Sequence, residues 1–306
     1  MTLTPMDPKH PGAEVLDHIA GLLDCRREDV TQICPLTRGN TNLTFSFSCK
    51  GCRYVYRHPG PATHRIIDRE RERLADLKAR ELDLDPSLLF CDPVSGWKLS
   101  RYIDNVDFDY TNFDHEGRGL DLIRQLHSGP VRHSLGWRLD MVAAAGEMQA
   151  LTPPEELSRY PDFLSLRPVI EALYPLTQRD GYGWEMCHND CCDSNILLGS
   201  DRAYLIDWEY AADNDPAADL ASYIIGFPRS EAQVRQVLER YFGRALTSKE
   251  DRHYRAWLAI SAYYFLSWGL YQLGTGNQVQ ALTDIWFPYL QDYGPAALEA
   301  YRKIGM

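Results

Sequence analysis

"CHNDCCDSNILL", residues 187–198, decides how this chain is read. His188 stands two residues before Asp190, Asn195 follows Asp190 by five, and the run Ile196-Leu197-Leu198 closes the stretch. A second apolar run, "AYLIDWEY", follows and carries Asp207. Asp and Asn favour turns with no chemistry attached, so either residue alone would read as a turn former. The ordered set asks for more: His-x-Asp, an Asn five residues on, a short strand, a turn, a second strand and a terminal Asp.

Phosphoryl transfer from ATP uses those parts. A carboxylate accepts the proton of the attacking hydroxyl, and an Asn and a second Asp hold the metal that bridges the phosphates. Amide and carboxylate oxygens are hard donors that suit Mg²⁺. The pattern predicts Asp190 as general base and Asn195 and Asp207 as metal ligands. A two-strand hairpin through 196–198 and 204–206 is expected to bring the ligands together. Asp219 falls where a helix begins or is under way. It reads either as a charge at a helix start or as a brace accepting backbone N–H groups of the catalytic loop.

The chain has 306 residues, 44% hydrophobic and 25% charged, with a net charge of −11. These are globular values, with room for two domains. The acidic balance argues against a general nucleic-acid or anionic-membrane binder. The first residues, "MTLTPMDPKHPGAEVL", have no apolar core of signal-peptide length. No apolar run approaches the ~20 residues of a membrane span. A cytoplasmic protein with no membrane insertion is expected, its eight Cys as free thiols. "CKGC" (49–52) reads as a hairpin turn at Lys50-Gly51, and Cys187, Cys191 and Cys192 read as small apolar filler. Nothing identifies a protein partner.

The first hundred residues are strand-rich. "TFSFSC" (44–49) and "RYVYR" (53–57) alternate with period two. "HRIIDRERERLADLKAR" (64–80) reads as a charged helix with Ile66, Ile67, Leu74 and Leu77 on its apolar side. "SLLFCD" (87–92) and "WKLSRYI" (97–103) read as two more strands. Segments 113–129, 139–151 and 163–176 read as helices, and short strands return near 184–188, 196–198 and 203–207. From Pro216 the chain is helical and aromatic. The expectation is an α+β, two-lobed, protein-kinase-like fold. Residues 1–102 form the small sheet-and-helix lobe, residues 103–306 the larger helical lobe, and a hinge lies near 100–105.

Together "HNDCCDSNIL", "LIDWEYA" and "DLASYI" resemble the motifs of the choline/ethanolamine kinase family, within the superfamily that includes aminoglycoside phosphotransferases. The likeness runs from about Leu36 to Trp286 and is nearest to bacterial choline kinases that serve cell-surface glycans. "GNTN" (Gly39, Asn40, Thr41, Asn42) resembles the family's phosphate loop, although Arg38 stands where the family more often has Gly. The resemblance implies that Arg57 contacts ATP phosphates and is paired by a carboxylate of the next helix, Glu72 or Glu70. It also implies nucleotide contacts at the hinge residues Tyr102 and Ile103, and supporting roles for His188 and Asp219. ATP and Mg²⁺ are the implied cofactors.

The second substrate is read from aromatics. A quaternary ammonium donates no strong hydrogen bond, so ring faces and a carboxylate recognise it. Glu209 and Tyr210 follow the metal Asp. In "AISAYYFLSWGLYQLG", Tyr264, Trp268 and Tyr271 lie at i, i+4 and i+7, with Trp286 in the next helix. A helix apolar on every side is also a core helix, and its aromatics are then packing. The family's choline site draws on the aromatics matching Trp268 and Tyr271, so a small cationic alcohol, choline, is the expected acceptor. Ethanolamine and aminoglycosides are the alternatives.

Overall fold

The computed structural model describes residues 7–37, 39, 41–127 and 132–304. They fall into two compact units, Met1–Val106 with Gly199–Glu209, and Asp107–Leu198 with Tyr210–Met306. The first segment of the first unit ends at Val106, next to the 100–105 stretch where a hinge is expected from sequence. The return of 199–209 to the first unit has no counterpart in the sequence reading.

The first unit opens with helix α1 (Ala13–Leu23) and strand β1 (Thr31–Leu36), which precede the elements legible in sequence. β2 (Leu43–Cys49) and β3 (Cys52–His58) follow, then helix α2 (Arg69–Glu81) and strands β4 (Leu88–Cys91) and β5 (Lys98–Arg101). The five strands make one antiparallel sheet in the order β1-β2-β3-β5-β4. Lys50 and Gly51 both have positive φ, 50° and 76°, which suits a two-residue hairpin loop to the twist of its strands. One sheet face is apolar: Phe45, Phe47, Tyr56 and Leu99 join Val15 and Ile19 of α1 in a buried cluster.

Helix α2 corrects the sequence reading. It starts at Arg69, capped by Asp68, whose carboxylate accepts the N–H groups of Glu70 and Arg71. Ile66 and Ile67 therefore precede it. Leu74 and Leu77 are 40% and 38% exposed, while Glu72, Ala75, Asp76 and Ala79 are buried. The helix turns its charged stripe inward because the sheet presents Arg57 and Lys98 to it.

The second unit is mainly helical: α3 (Phe113–His127), α4 (Met141–Leu151), the single turn α5 (Pro154–Leu157) and α6 (Phe163–Gln178) precede its short strands. β6 (Glu185–Cys187) and β7 (Ile196–Leu198) flank the quoted stretch. β8 (Ala203–Leu205) lies in the first unit, and β9 (Ala212–Asn214) pairs antiparallel with β6. Helices α7 (Ala217–Ile225), α8 (Glu231–Phe242), α9 (Ser248–Gly274) and α10 (Gln280–Ile304) complete it. α9 is the core helix, buried on all sides from Ala256 to Gln272, with α4, α6, α7 and α10 packed around it. All eight cysteines are free, and no helix among the described residues is long and apolar enough to cross a membrane.

The corrected face of α2 predicts that Leu74→Gln and Leu77→Gln each change stability by no more than about 0.5 kcal/mol, as exposed positions do. Ala75→Gln, at a fully buried site, should cost several-fold more. Urea unfolding of the three variants is the check, and a large loss at Leu74 would restore the apolar-side reading.

Candidate active site

In the first unit, Arg57 and Lys98 are directly opposed across β3 and β5, so two cations point from the same sheet face. Like charges so placed repel. The inward stripe of α2 answers them. Glu72 pairs with Arg57 and with Lys98 (2.7 Å), and its second oxygen accepts from Arg69 at 2.6 Å. Asp76 takes Lys98 at 2.6 Å. Glu70, the other candidate partner for Arg57, lies at the surface with Arg73, 2.7 Å away. Arg57 also binds Asp207, and its Nη1 and that of Arg69 each stand 3.4 Å from Glu209.

This cluster holds one more carboxylate than cations, nearly all of it buried. Burial pushes Asp76 up to about 7, with Lys98 pulling the other way. Burial, then the neighbouring Asp207 charge, push Glu209 up to about 7. Glu72 faces the same burial, but Arg57, Lys98 and Arg69 hold it well below the carboxylate range.

Oxygens of Glu72, Asp207 and Glu209 lie within 4.8 Å of one another. Asp207 is the one of these whose side chain keeps substantial exposure, 26%, and its backbone is left-handed, φ 67°. Such a conformation costs energy in a residue with a Cβ and collects at functional sites.

Thr41 runs beside Gly60, where an added Cβ would stand 1.9 Å from the Thr41 carbonyl oxygen. Only glycine permits that approach. Asn42 accepts the Gly60 N–H and donates to Glu209, both at 3.4 Å. Arg38 and Asn40 lie outside the described residues. Tyr102 stacks under Arg53 at 3.6 Å, and with Ile103, Ser87 and Tyr204 it lines a cavity of about 400 Å³.

In the second unit the quoted stretch is fixed through its amides. Asp219, fully buried, accepts the N–H groups of His188 at 2.9 Å and Asn189 at 2.5 Å. The Asp190 N–H goes to His188 Nδ1, that of Cys191 to Ser222 Oγ, that of Cys192 to the Asp190 carbonyl, and that of Asp193 to the Tyr110 hydroxyl. Six successive donors thus have acceptors. Burial alone would push Asp219 up, but His127, at 3.0 Å, and His188 outweigh it and hold the group below its ordinary value. His127, Cys187 and Asp219 could form a metal triad by distance. Burial, however, pushes the Cys187 thiol well up, and Asp219 is already occupied.

Asn195 Nδ2 donates to the Asp190 carbonyl at 2.9 Å and to its carboxylate at 3.0 Å. The amide orients Asp190 and keeps its own Oδ1 as a hard oxygen donor. Asn195 and Asp207, one in each unit, therefore both have the donor chemistry Mg²⁺ takes.

Asp190 also lines a cavity of about 70 Å³ with Asp193, Tyr210, Phe265, Trp268 and Trp286. Trp268 Nε1 donates to the Tyr210 hydroxyl at 2.8 Å. Trp286 meets Trp268 edge-on at 6.0 Å and Phe265 at 5.4 Å.

Three expected members are absent from this lining. Tyr264 and Tyr271 are buried in the core, and Glu209 is held by Arg57, Arg69 and Asn42. Phe265, Asp193, Lys98, Arg69 and Tyr110 were not singled out in sequence. Phe265 sits beside Tyr264, another aromatic, so orientation alone decides between them, while Lys98 was read only as part of a strand and Arg69 only as part of a charged helix.

Residues 32–258 match the model of the phosphotransferase enzyme family. The chain is 27% identical over 218 residues to the protein LicA of Haemophilus influenzae, covering 66% of this chain and 60% of the relative's length. It is 25% identical over 266 residues to a thiamine kinase of Shigella sonnei, covering 83% of this chain and 90% of the relative. The solved choline kinase LicA of Streptococcus pneumoniae superposes with a TM-score of 0.74 at 19% identity, covering 95% of this chain and 98% of that one. That likeness establishes the kinase-like fold.

The ion cluster predicts that Lys98→Met leaves Glu72 and Asp76 short of a buried cation. Breaking a buried pair in this way costs about 3–5 kcal/mol. Chemical denaturation should show that loss, and a cost below about 1 kcal/mol would mean that Arg57 and Arg69 suffice.

Proposed function

We propose, from the premise that the chain belongs to the phosphotransferase enzyme family, that it transfers the γ-phosphoryl group of ATP to the hydroxyl of choline. The cavity that joins Asp190 to Tyr210, Phe265, Trp268 and Trp286 carries this reading. Aromatic faces suit a cation that has methyl groups in place of N–H donors.

In this reading Asp190, held by Asn195, accepts the hydroxyl proton as the oxygen attacks phosphorus. Asn195 and Asp207 would hold Mg²⁺, which would neutralise charge on the phosphate oxygens. Arg57, kept in orientation by Glu72, serves the phosphates, as do Gly39, Thr41 and Asn42. Tyr102 and Ile103 serve the rest of the nucleotide. Asp219 and His188 keep the loop in shape. The negative charge near the ammonium comes from the cavity's own Asp190 and Asp193, since Glu209 belongs to the arginine cluster.

Choline, ethanolamine and thiamine, compared with ATP and Mg²⁺, test the assignment. Thiamine is also a cationic alcohol, with two rings to place against the same aromatic lining. Choline should have the highest kcat/KM. Trp268→Ala should lower it at least ~10-fold, since a desolvated cation–π contact is worth about 2 kcal/mol or more. Ethanolamine, which regains hydrogen bonds to water, should lose less. Equal losses, or a wild-type preference for either rival, would remove choline. Asp190→Asn should reduce turnover roughly 10²-fold or more with little change in stability. Near-normal turnover would remove Asp190 from the chemistry.

A further inference from the structure

We propose that Tyr110 is a positioning residue of the catalytic loop, acting through the backbone amide of Asp193, and that residue 226 is glycine to make room for its hydroxyl. The proposal rests on the reading of Asp190 and Asn195 as catalytic base and metal ligand.

Residues 193–195 form a single tight turn between Asp190 and β7. The first N–H of such a turn has no partner within it. The Tyr110 hydroxyl oxygen accepts it at 3.0 Å. The turn carries Asn195, whose Nδ2 reaches the Asp190 carboxylate at 3.0 Å. One hydroxyl thus sets the start of the turn whose end orients the base. Asp219 and Ser222 of α7 take the His188, Asn189 and Cys191 amides. Tyr110, which lies outside both α7 and the loop, adds an acceptor for the Asp193 N–H.

The ring has little freedom. Its centroid lies 5.1 Å from that of Phe108, 5.4 Å from that of Tyr223 and 5.5 Å from that of Phe227. The Arg229 guanidinium stands 4.8 Å from it, and its Nη1 donates to the Ile224 carbonyl at 2.6 Å. Gly226 has an ordinary helical backbone, φ −63°, so conformation does not require glycine there. Space does: a Cβ would lie 2.5 Å from the Tyr110 oxygen and 3.3 Å from its Cζ. Any larger residue must displace the hydroxyl or itself.

Tyr110→Phe keeps the ring and removes the acceptor. A lost hydrogen bond of ordinary strength corresponds to about 5–10-fold. Hydrogen exchange across residues 190–195 should accelerate by that factor. The turnover number should fall by a similar factor and half-saturating Mg²⁺ should rise, while KM for the alcohol and the melting temperature change little. Gly226→Ala should accelerate the same exchange in the wild type and add little to it in Tyr110→Phe, because the closest clash is with the hydroxyl. Exchange is read without substrate, so an error in the acceptor or in the catalytic roles leaves that arm intact. Unchanged exchange in Tyr110→Phe, or full additivity of the two substitutions, overturns the proposal. Faster exchange with unchanged turnover and Mg²⁺ requirement would make the contact structural and overturn it equally.

Discussion

A guanidinium and an ammonium stand side by side on the inner face of one sheet, and the first unit is arranged around that fact. Arg57 and Lys98 are register partners, so neither can move away from the other without breaking the β3–β5 ladder. Their repulsion is removed by carboxylates, and Glu72 touches both. A carboxylate in that place requires a helix lying over the sheet with its charged stripe inward, which is α2. The small buried residues Ala75 and Ala79 on the same stripe let the helix approach. Asp207 and Glu209 supply further negative charge, which fixes the segment after β8 in this unit. Buried ion pairs are weak contributors to net stability. Their value here is geometric, because Arg57 is held in one orientation with its charge satisfied.

The second unit solves a related problem with a single anion. A loop that must hold Asp190 cannot use a strand or helix ladder for its amides. Unpaired buried amides would each cost about 1–3 kcal/mol. Asp219 takes two of them, and a ring nitrogen of His127 lies 3.0 Å from one of its oxygens. Asn189 can then adopt a left-handed backbone, φ 63°, which turns the chain just before Asp190. Asn tolerates that region better than most residues. The strain is local, and the bonds on either side of it hold it in place.

These arrangements explain what the sequence revealed and what it concealed. Period-two alternation found β2 and β3 because one face of that hairpin is an apolar core. The His-x-Asp-x4-Asn spacing marked the loop of residues 188–195 because its side chains bond within a few positions of one another. The inner face of α2 was misread because apolar periodicity assumes an apolar core, and here the helix faces charge. Leu74 and Leu77 marked the wrong side for that reason. Glu72 was only weakly favoured over Glu70 in sequence because their difference is a rotation about the helix axis, fixed only by where the sheet lies. Tyr110 left no local signal at all. Its partner is 83 positions away, and its requirement appears in sequence only as an ordinary glycine at 226.

Glu209 and Tyr210 show how fine the division of labour is. They are consecutive, and each had seemed suited to one cation-binding box. Glu209 belongs to the first unit and its carboxylate to the arginines there, whereas Tyr210 belongs to the second and bonds Trp268. A fully charged Glu209 would face burial and the nearby Asp207 charge, the two causes that push it up to about 7. Its proximity to Arg57 and Arg69 relieves that cost, which a mobile organic cation would do less well. An aromatic box does not need it. Ring quadrupoles attract a quaternary ammonium without a full negative charge in contact. Separating the two residues therefore leaves the Glu209 carboxylate to the arginines of the first unit and the Tyr210 hydroxyl to Trp268, and neither has to compromise for the other.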